Sequence, residues 1–522
     1  MKRLSSYFHL QNPRYERLFF LLLVCAGTWP LFTARHFPFM DSPAHLYNSG
    51  IIRHLLTGDN GFINSYFTFN RVIVPNWISY LIMLPFQFFL EPAGVEKCYL
   101  LFYFLGLPLA MRYCITSISP GRGFMACLAL PLVYNTLAMY SFYNFSSALI
   151  FLLLTVGYCY RNIVLGTAGW KQYSMLFLLV LLTFLSHPVV FCVALLLIFL
   201  MYVHHLYLSE GLHLLKWFND KTRSIFIALL PSVILFLLYL RAPKTGVPVY
   251  HFLSAGDLFQ GVLTGNLFGA FAREETFAAG ILAMTFCAAF FISIYSLLSD
   301  SFRNLFQTNT FFLLPAVFCL LLLYRFMPDS DGMGGFISIR LSILLFLTGA
   351  VLVASVPFPK PFIVLLLGIV ILSQAHRTRV YAKILKERSP EITAINDQAQ
   401  FMEPESFLYS FEVDDDWLGG HYHNYMCLNR NCIPLQDYEC QTGYFPVAWK
   451  DQLKMNRMVD NAGTFRNTEM LKKDLNNHTL YYWILGDLSL KKEPAYLALQ
   501  HNLDEHCTLI HHTLYSSLYK LK

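Results

Sequence analysis

Asp41 and His45 stand one helical turn apart in PFMDSPAHLYNSGIIRHLL, the stretch from Pro38 to Leu56 directly behind the first long apolar run. At that spacing a carboxylate and an imidazole share one helix face, or nearly so. Asp41 followed by Ser42 and Pro43 reads as a helix start, with Asp at the N-cap and proline in the first turn. A carboxylate at a membrane–water boundary can take a proton from a hydroxyl, and an imidazole can position or relay it. The alternative is that Asp41 only caps the helix and His45 only makes an interfacial contact.

Arg340 is the second residue of chemical interest. It lies in DGMGGFISIRLSILLFLTGA, behind a glycine-rich turn and within the first turns of an apolar helix. A charge at the centre of a membrane helix costs about 2.5–3.5 kcal/mol, and less near the interface, so such a residue faces a protein interior or a polar ligand. A guanidinium offers a fixed fork of donors to a lipid phosphate; snorkelling to headgroups is the competing use. Asn135, Tyr143 and Asn144 in VYNTLAMYSFYNFSSAL, and His187 in LLTFLSHPVVF, are polar groups in apolar surroundings. Each needs a partner, either across helices or lining a polar cavity.

These residues sit in a chain that is 56% hydrophobic and only 13% charged, against roughly 25% charged in soluble domains. Several apolar runs approach the ~20 residues that cross a bilayer. Candidate spans are 17–33, 73–90, 97–117, 122–140, 144–162, 173–207, 223–241, 277–299, 309–327, 338–356 and 360–375. The sixth is too long for one untilted helix and carries His187-Pro188 in its middle, so it is one kinked helix or two shorter ones. The expected fold is mostly α: a polytopic transmembrane helical bundle of about 11 spans, within 10 to 12, and a small C-terminal extracytoplasmic α/β domain.

Arg3, Arg14 and Arg17 put the N-terminus in the cytoplasm, and Lys216, Lys221 and Arg223 do the same for the segment from His204 to Arg223. Outer loops then fall at 34–72 and 242–276. Arg112, Arg122, Arg161 and Lys171 fit this scheme poorly. The expected division is a membrane domain, 1–375, and a soluble domain, 376–522. From His376 onward 16 Lys and Arg face 19 Asp and Glu, so the tail carries −3 and the rest +9 of the total +6. An acidic tail argues against a nucleic-acid partner. In the tail, strand-like runs (Phe407–Val413, Thr479–Leu485, Cys507–His512) mix with helix-like runs near Ala448–Val459 and Thr468–Leu475.

Four tail cysteines, Cys427, Cys432, Cys440 and Cys507, imply one or two disulfides in an oxidising compartment, with the pairing open. HYHNYMCLNRNC brings His421 and His423 close to Cys427 and Cys432, but the spacing matches no familiar zinc module. No metal ligands and no cofactor are assigned, and a divalent metal has no support from spacing. Asp414–Asp416 reads as a solvated turn. Nucleotide-binding, GxSxG and HExxH motifs are missing from the sequence.

Five stretches together resemble the GT-C superfamily of membrane glycosyltransferases, and more narrowly its uncharacterised bacterial polytopic members. They are FMDSPAHLYNSGII, SFYNFSSALIFLLL, FLSHPVVFCVALLL, GGFISIRLSILLFL and DYECQTGYFPVAW, spread in the expected order over nearly the whole chain. The resemblance implies a sugar donor linked to polyprenyl phosphate, inverting transfer, and a catalytic carboxylate in the first outer loop, which maps onto Asp41. His45 then positions or moves the proton, Arg340 meets the donor phosphate, and Tyr143, Asn144, His187, His251 and Asp257 line the cavity. The acceptor class (glycan, lipid or protein) is not implied. Better-known members carry an acidic pair in the first loop, whereas Asp41 is followed by Ser42, so metal dependence does not carry over. The expected location is a bacterial cytoplasmic membrane with the tail in the periplasm. A transporter or flippase of lipid-linked glycans, or a non-catalytic envelope assembly protein, are the other readings.

Overall fold

Apolar runs become long helices, three of them with a proline inside, in the computed structural model, which describes residues 13–211, 213, 217, 219–241, 249–269, 271, 273–299, 310–330, 332, 334–414 and 416–522. Arg3, Lys216 and Asp415 lie outside them. Among the described residues seven helices are long and apolar enough to cross a membrane, with shorter apolar helices at Gly123–Val133, Trp170–Ser186 and Leu313–Phe326. The protein is an integral membrane protein, mostly helical, with a β-containing C-terminal region.

Local chemistry explains where the span expectations differ. The 73–90 run gives only the Ile78–Met83 helix and a turn at Phe86–Phe88, because Pro75, the left-handed Asn76 and Pro85 interrupt it. The 122–140 run breaks into a 3-10 segment, Gly123–Ala129, and two four-residue helices, Leu130–Val133 and Thr136–Met139. The 173–207 run is two helices, Trp170–Ser186 and Pro188–Glu210, separated at His187, whose backbone is extended (φ −161°, ψ 130°) as the residue before a proline prefers. The 360–375 run belongs to a helix that continues to Asp397.

The chain forms two compact units. The first takes in the described residues of Met1–Phe32, Leu100–Ala242 and Gly246–Ala382; the second takes in Thr33–Tyr99 and Lys383–Lys522. In the first unit the broken 122–140 segment leaves carbonyls that its own short helices cannot satisfy. The fully buried Arg377 donates to the carbonyls of Pro131 (3.0 Å), Phe268 (2.6 Å) and Tyr134.

In the second unit strands β1 (Phe67–Phe69), β2 (Phe407–Glu412), β3 (Ile433–Pro434), β4 (Val447–Trp449), β5 (Leu480–Leu485), β6 (Cys507–His512) and β7 (Ser516–Leu521) form two sheets. The larger runs β3-β2-β5-β7-β6, with β2 parallel to both neighbours and β7 antiparallel to both of its own. All six residues of β5 are buried, as a continuous apolar run at a sheet centre should be. Trp483 on β5 is fully buried and donates its indole N–H to Gln398 Oε1 at 3.0 Å. The small sheet pairs β1 with β4, Phe67 opposite Trp449, their rings stacked 4.5 Å apart. This pairing makes the segment after the first apolar helix part of the same unit as the tail.

Candidate active site

The Pro38–Leu56 stretch folds as the helix Ser42–Thr57, the loop helix below, with proline in its first turn and left-handed Gly58 (φ 69°) closing it. Asp41 occupies the N-cap position, and its carbonyl accepts the first helical bond from the His45 amide at 3.0 Å. Its side chain makes no capping hydrogen bond. The carboxylate, 10% exposed, instead brings Oδ1 to 3.4 Å from His421 Nε2, long for a hydrogen bond. The His421 ring stacks on Tyr438 at 4.8 Å. Burial, and then the neighbouring His45, push His421 down to about 4. At neutral pH it is an uncharged imidazole.

Asp41, His45 and Asn48 follow the i, i+4, i+7 rhythm of one helix face, and the other two meet a buried acid pair, Asp437 at the N-cap of the short helix Tyr438–Thr442 and Glu439 within it. His45 Nδ1 lies 2.6 Å from Glu439 Oε1 and 3.1 Å from the Tyr80 hydroxyl. Tyr80 donates to Glu439 Oε2 at 2.5 Å, which leaves the His45 Nδ1 proton for Oε1. Asn48 donates to Asp437 Oδ1 at 3.2 Å, and the amides of Glu439 and Cys440 donate to the same oxygen. Burial, and next the Glu439 charge, push Asp437 up to about 7. Beside Asp41, the Ser42 hydroxyl donates to Glu96, whose other oxygen accepts from Tyr425 at 3.2 Å. Glu96 and Glu439 have no solvent exposure.

In the first unit Arg340 is half-buried on the helix Ile337–Ser355, with its guanidinium 4.8 Å from the Phe142 ring centre and 5.9 Å from that of Phe145. Phe145 also meets the His187 ring edge-on at 5.1 Å. Tyr143 and Asn144, buried, lie between the two phenylalanines in sequence at the start of the helix Tyr143–Tyr158. Arg340 and His187 thus share one aromatic cluster. His251 and Asp257 lie apart from it in their bonding. His251 is exposed and forms a backbone bridge with Ser330. Asp257 is spent on a capping box with Ser254 at the start of the helix Ala255–Thr264, and edges a cavity of about 230 Å³ with Tyr324, Asp329 and Ser338. Of the expected outer loop 242–276, residues 242–248, 270 and 272 lie outside the described ones.

Cys427 and Cys432 form a disulfide, while Cys440 and Cys507 are buried thiols. His423 is buried against Ser410 (3.1 Å) and Asn424 (3.2 Å), and burial pushes it down to about 3. Among the described residues no three His, Cys, Asp or Glu side chains are grouped to hold a metal.

Sequence reasoning missed Glu96, Tyr80, Asp437 and Glu439. The two acids of the DYEC stretch, and an acid at the edge of the 97–117 apolar run, were the available signals. Their partners lie far away in sequence.

No protein-family model matches the chain, and no curated protein matches it. Among solved structures it is similar to ArnT from Cupriavidus metallidurans in the apo state. The identity is 12%, over 96% of this chain and 97% of that one, with a TM-score of 0.47. It is also similar to ArnT bound to undecaprenyl phosphate, at 11% identity over 98% of each chain with a TM-score of 0.41. At this level of likeness the functional argument rests on the residues of the site.

Proposed function

We propose that the chain is a GT-C-type membrane glycosyltransferase, moving a sugar from a polyprenyl-phosphate donor to a hydroxyl acceptor outside the cytoplasm, with Asp41 as base. The acceptor hydroxyl gives its proton to the Asp41 carboxylate as its oxygen bonds to the sugar C1. The C1–O bond to the phosphate breaks, and the polyprenyl phosphate leaves with the electron pair, inverting the centre. Such a base must be ionised and within reach of the hydroxyl. The observation that carries the reading is the Asp41 carboxylate itself: it stands at a helix start without capping it, beside an imidazole that burial keeps neutral.

His45 is a positioning group held by Glu439 and Tyr80. Arg340 is assigned to the departing phosphate, where a guanidinium offsets developing charge; its contact with the Phe142 and Phe145 rings supports that role by holding the guanidinium against the protein. Tyr143, Asn144 and His187 are assigned to line the cavity around Arg340. The tail is assigned to the periplasmic face of a bacterial cytoplasmic membrane, as the Cys427–Cys432 disulfide favours an oxidising compartment.

The test is mass spectrometry of lipid-linked sugars and surface glycans from cells lacking the gene, complemented with the native chain or with Asp41→Asn at equal membrane levels. The native chain should restore a missing glycan, and Asp41→Asn should leave a polyprenyl-phosphate sugar accumulating. Full restoration by Asp41→Asn would overturn the assignment of the base.

A further inference from the structure

Two carboxylates without solvent contact grip the first turn of the loop helix, and the chemistry proposed for Asp41 consumes neither. Glu96 accepts from Ser42, the residue after Asp41, and from Tyr425. Glu439 accepts from Tyr80 and meets His45, one turn beyond Asp41. Both anchors therefore hold the turn that directly follows Asp41, at the next residue and one turn on. A helix end needs no buried acid to pack: apolar contact would hold it without desolvating charge. Directed hydrogen bonds do what apolar contact cannot, which is to fix rotation and register. A base displaced by about 1 Å can lose ~10²-fold in rate.

We infer that Glu96 and Glu439 are positioning residues: two buried carboxylates clamp Ser42 and His45 and so set where the Asp41 carboxylate stands. Neither touches substrate; both act through the loop helix. The inference deepens the proposed reaction and rests on Asp41 being its base.

The experiment uses the full chain in lipid nanodiscs, as native protein, Glu439→Gln, Glu96→Gln and the double variant. Hydrogen–deuterium exchange needs no substrate. Amides of Ser42–Asn48 should exchange about ten-fold faster in each single variant, with β2 and β5 unchanged. Transfer is then followed with lipid extract from cells lacking the gene, which holds the accumulated donor. The expected result is a kcat lowered ~10²-fold with the KM for that donor held, since a misplaced base leaves donor binding alone. If Glu439→Gln does not fold, Tyr80→Phe, which removes the hydroxyl that donates to Glu439 and lies 3.1 Å from His45, carries the same test. Unchanged exchange over Ser42–Asn48, or faster exchange with unchanged kcat, overturns the inference. Failure of the reaction itself reads differently, as a native chain that consumes no donor.

Discussion

Asp41 Oδ1 lies 3.4 Å from His421 Nε2, which joins the residue before the loop helix to one in the C-terminal tail. The carboxylate is drawn toward this contact and makes no capping hydrogen bond to the helix amides. Capping and catalysis then predict different things. A lost Asp cap costs ~0.5–2 kcal/mol, whereas a lost base costs ~10²–10⁴ in rate. Asp41→Ala should therefore keep thermal stability close to native while transfer falls by the larger factor. Calorimetry and donor consumption on the same preparation check both; a large drop in stability would return Asp41 to the role of a cap.

His421 gives the site a pH signature. Its pKa of about 4 lies below the ordinary 6.5, so the unfolded chain binds the extra proton between those values. Stability contributed by His421 rises with pH across that window and is lost as pH falls through it. The rate should follow: near pH 4 the imidazolium pairs with Asp41 and withholds its carboxylate. His421→Gln keeps an N–H donor without a titrating ring, so the acid limb of the pH–rate profile should move to lower pH.

Asp437 carries the opposite sign. Burial and the Glu439 charge raise it from 3.8 to about 7, so the folded state holds the proton longer than the unfolded one. Its contribution favours the fold at low pH and declines as pH rises through about 4 to 7. Amide exchange in the Tyr438–Thr442 helix, corrected for the intrinsic rate, should quicken from pH 6 to 8. Asp437→Asn should abolish that change.

Legibility in the sequence followed the range of the interaction. Long helices such as Ile337–Ser355, and strands β2, β5 and β6, were readable because apolar pattern and breakers act locally. The 73–90 and 122–140 runs looked like spans because hydropathy weighs composition, whereas Pro75, Pro85 and Pro131 act through single backbone bonds. Asp41 and His45 were visible as a pair. Their acid partners were not, because Glu96 and Glu439 are brought in by tertiary packing, and β1–β4 pairing joins segments from opposite ends of the chain.

The disulfide closes a short loop, Cys427 to Cys432, at the end of the helix His423–Arg430. Tyr47 of the loop helix donates to the Cys432 carbonyl at 2.8 Å. In the chain-entropy account a loop this short is worth about 2 kcal/mol. The paired variant Cys427→Ser, Cys432→Ser should lower the unfolding free energy by about that much, and reductant should lower the native midpoint but not the variant's. Cys440 and Cys507, buried as thiols, should take up a thiol reagent only on unfolding.

Arg340 separates a phosphate anchor from a residue that merely reaches the headgroups. Its guanidinium carbon lies 4.8 Å from the Phe142 ring centre and 5.9 Å from that of Phe145, a cation–π contact with two rings. Lysine would keep the charge and the reach, and would snorkel equally well. It would not keep the planar fork that meets two phosphate oxygens at once. Arg340→Lys should raise the KM for the polyprenyl-phosphate donor by about ten-fold, equivalent to ~1.4 kcal/mol, with little loss of stability. Phe142→Ala should give a smaller rise in the same direction, because it loosens the fork without removing it. Equal donor KM values for native chain and Arg340→Lys would assign Arg340 to the headgroup region and leave the phosphate without its proposed partner.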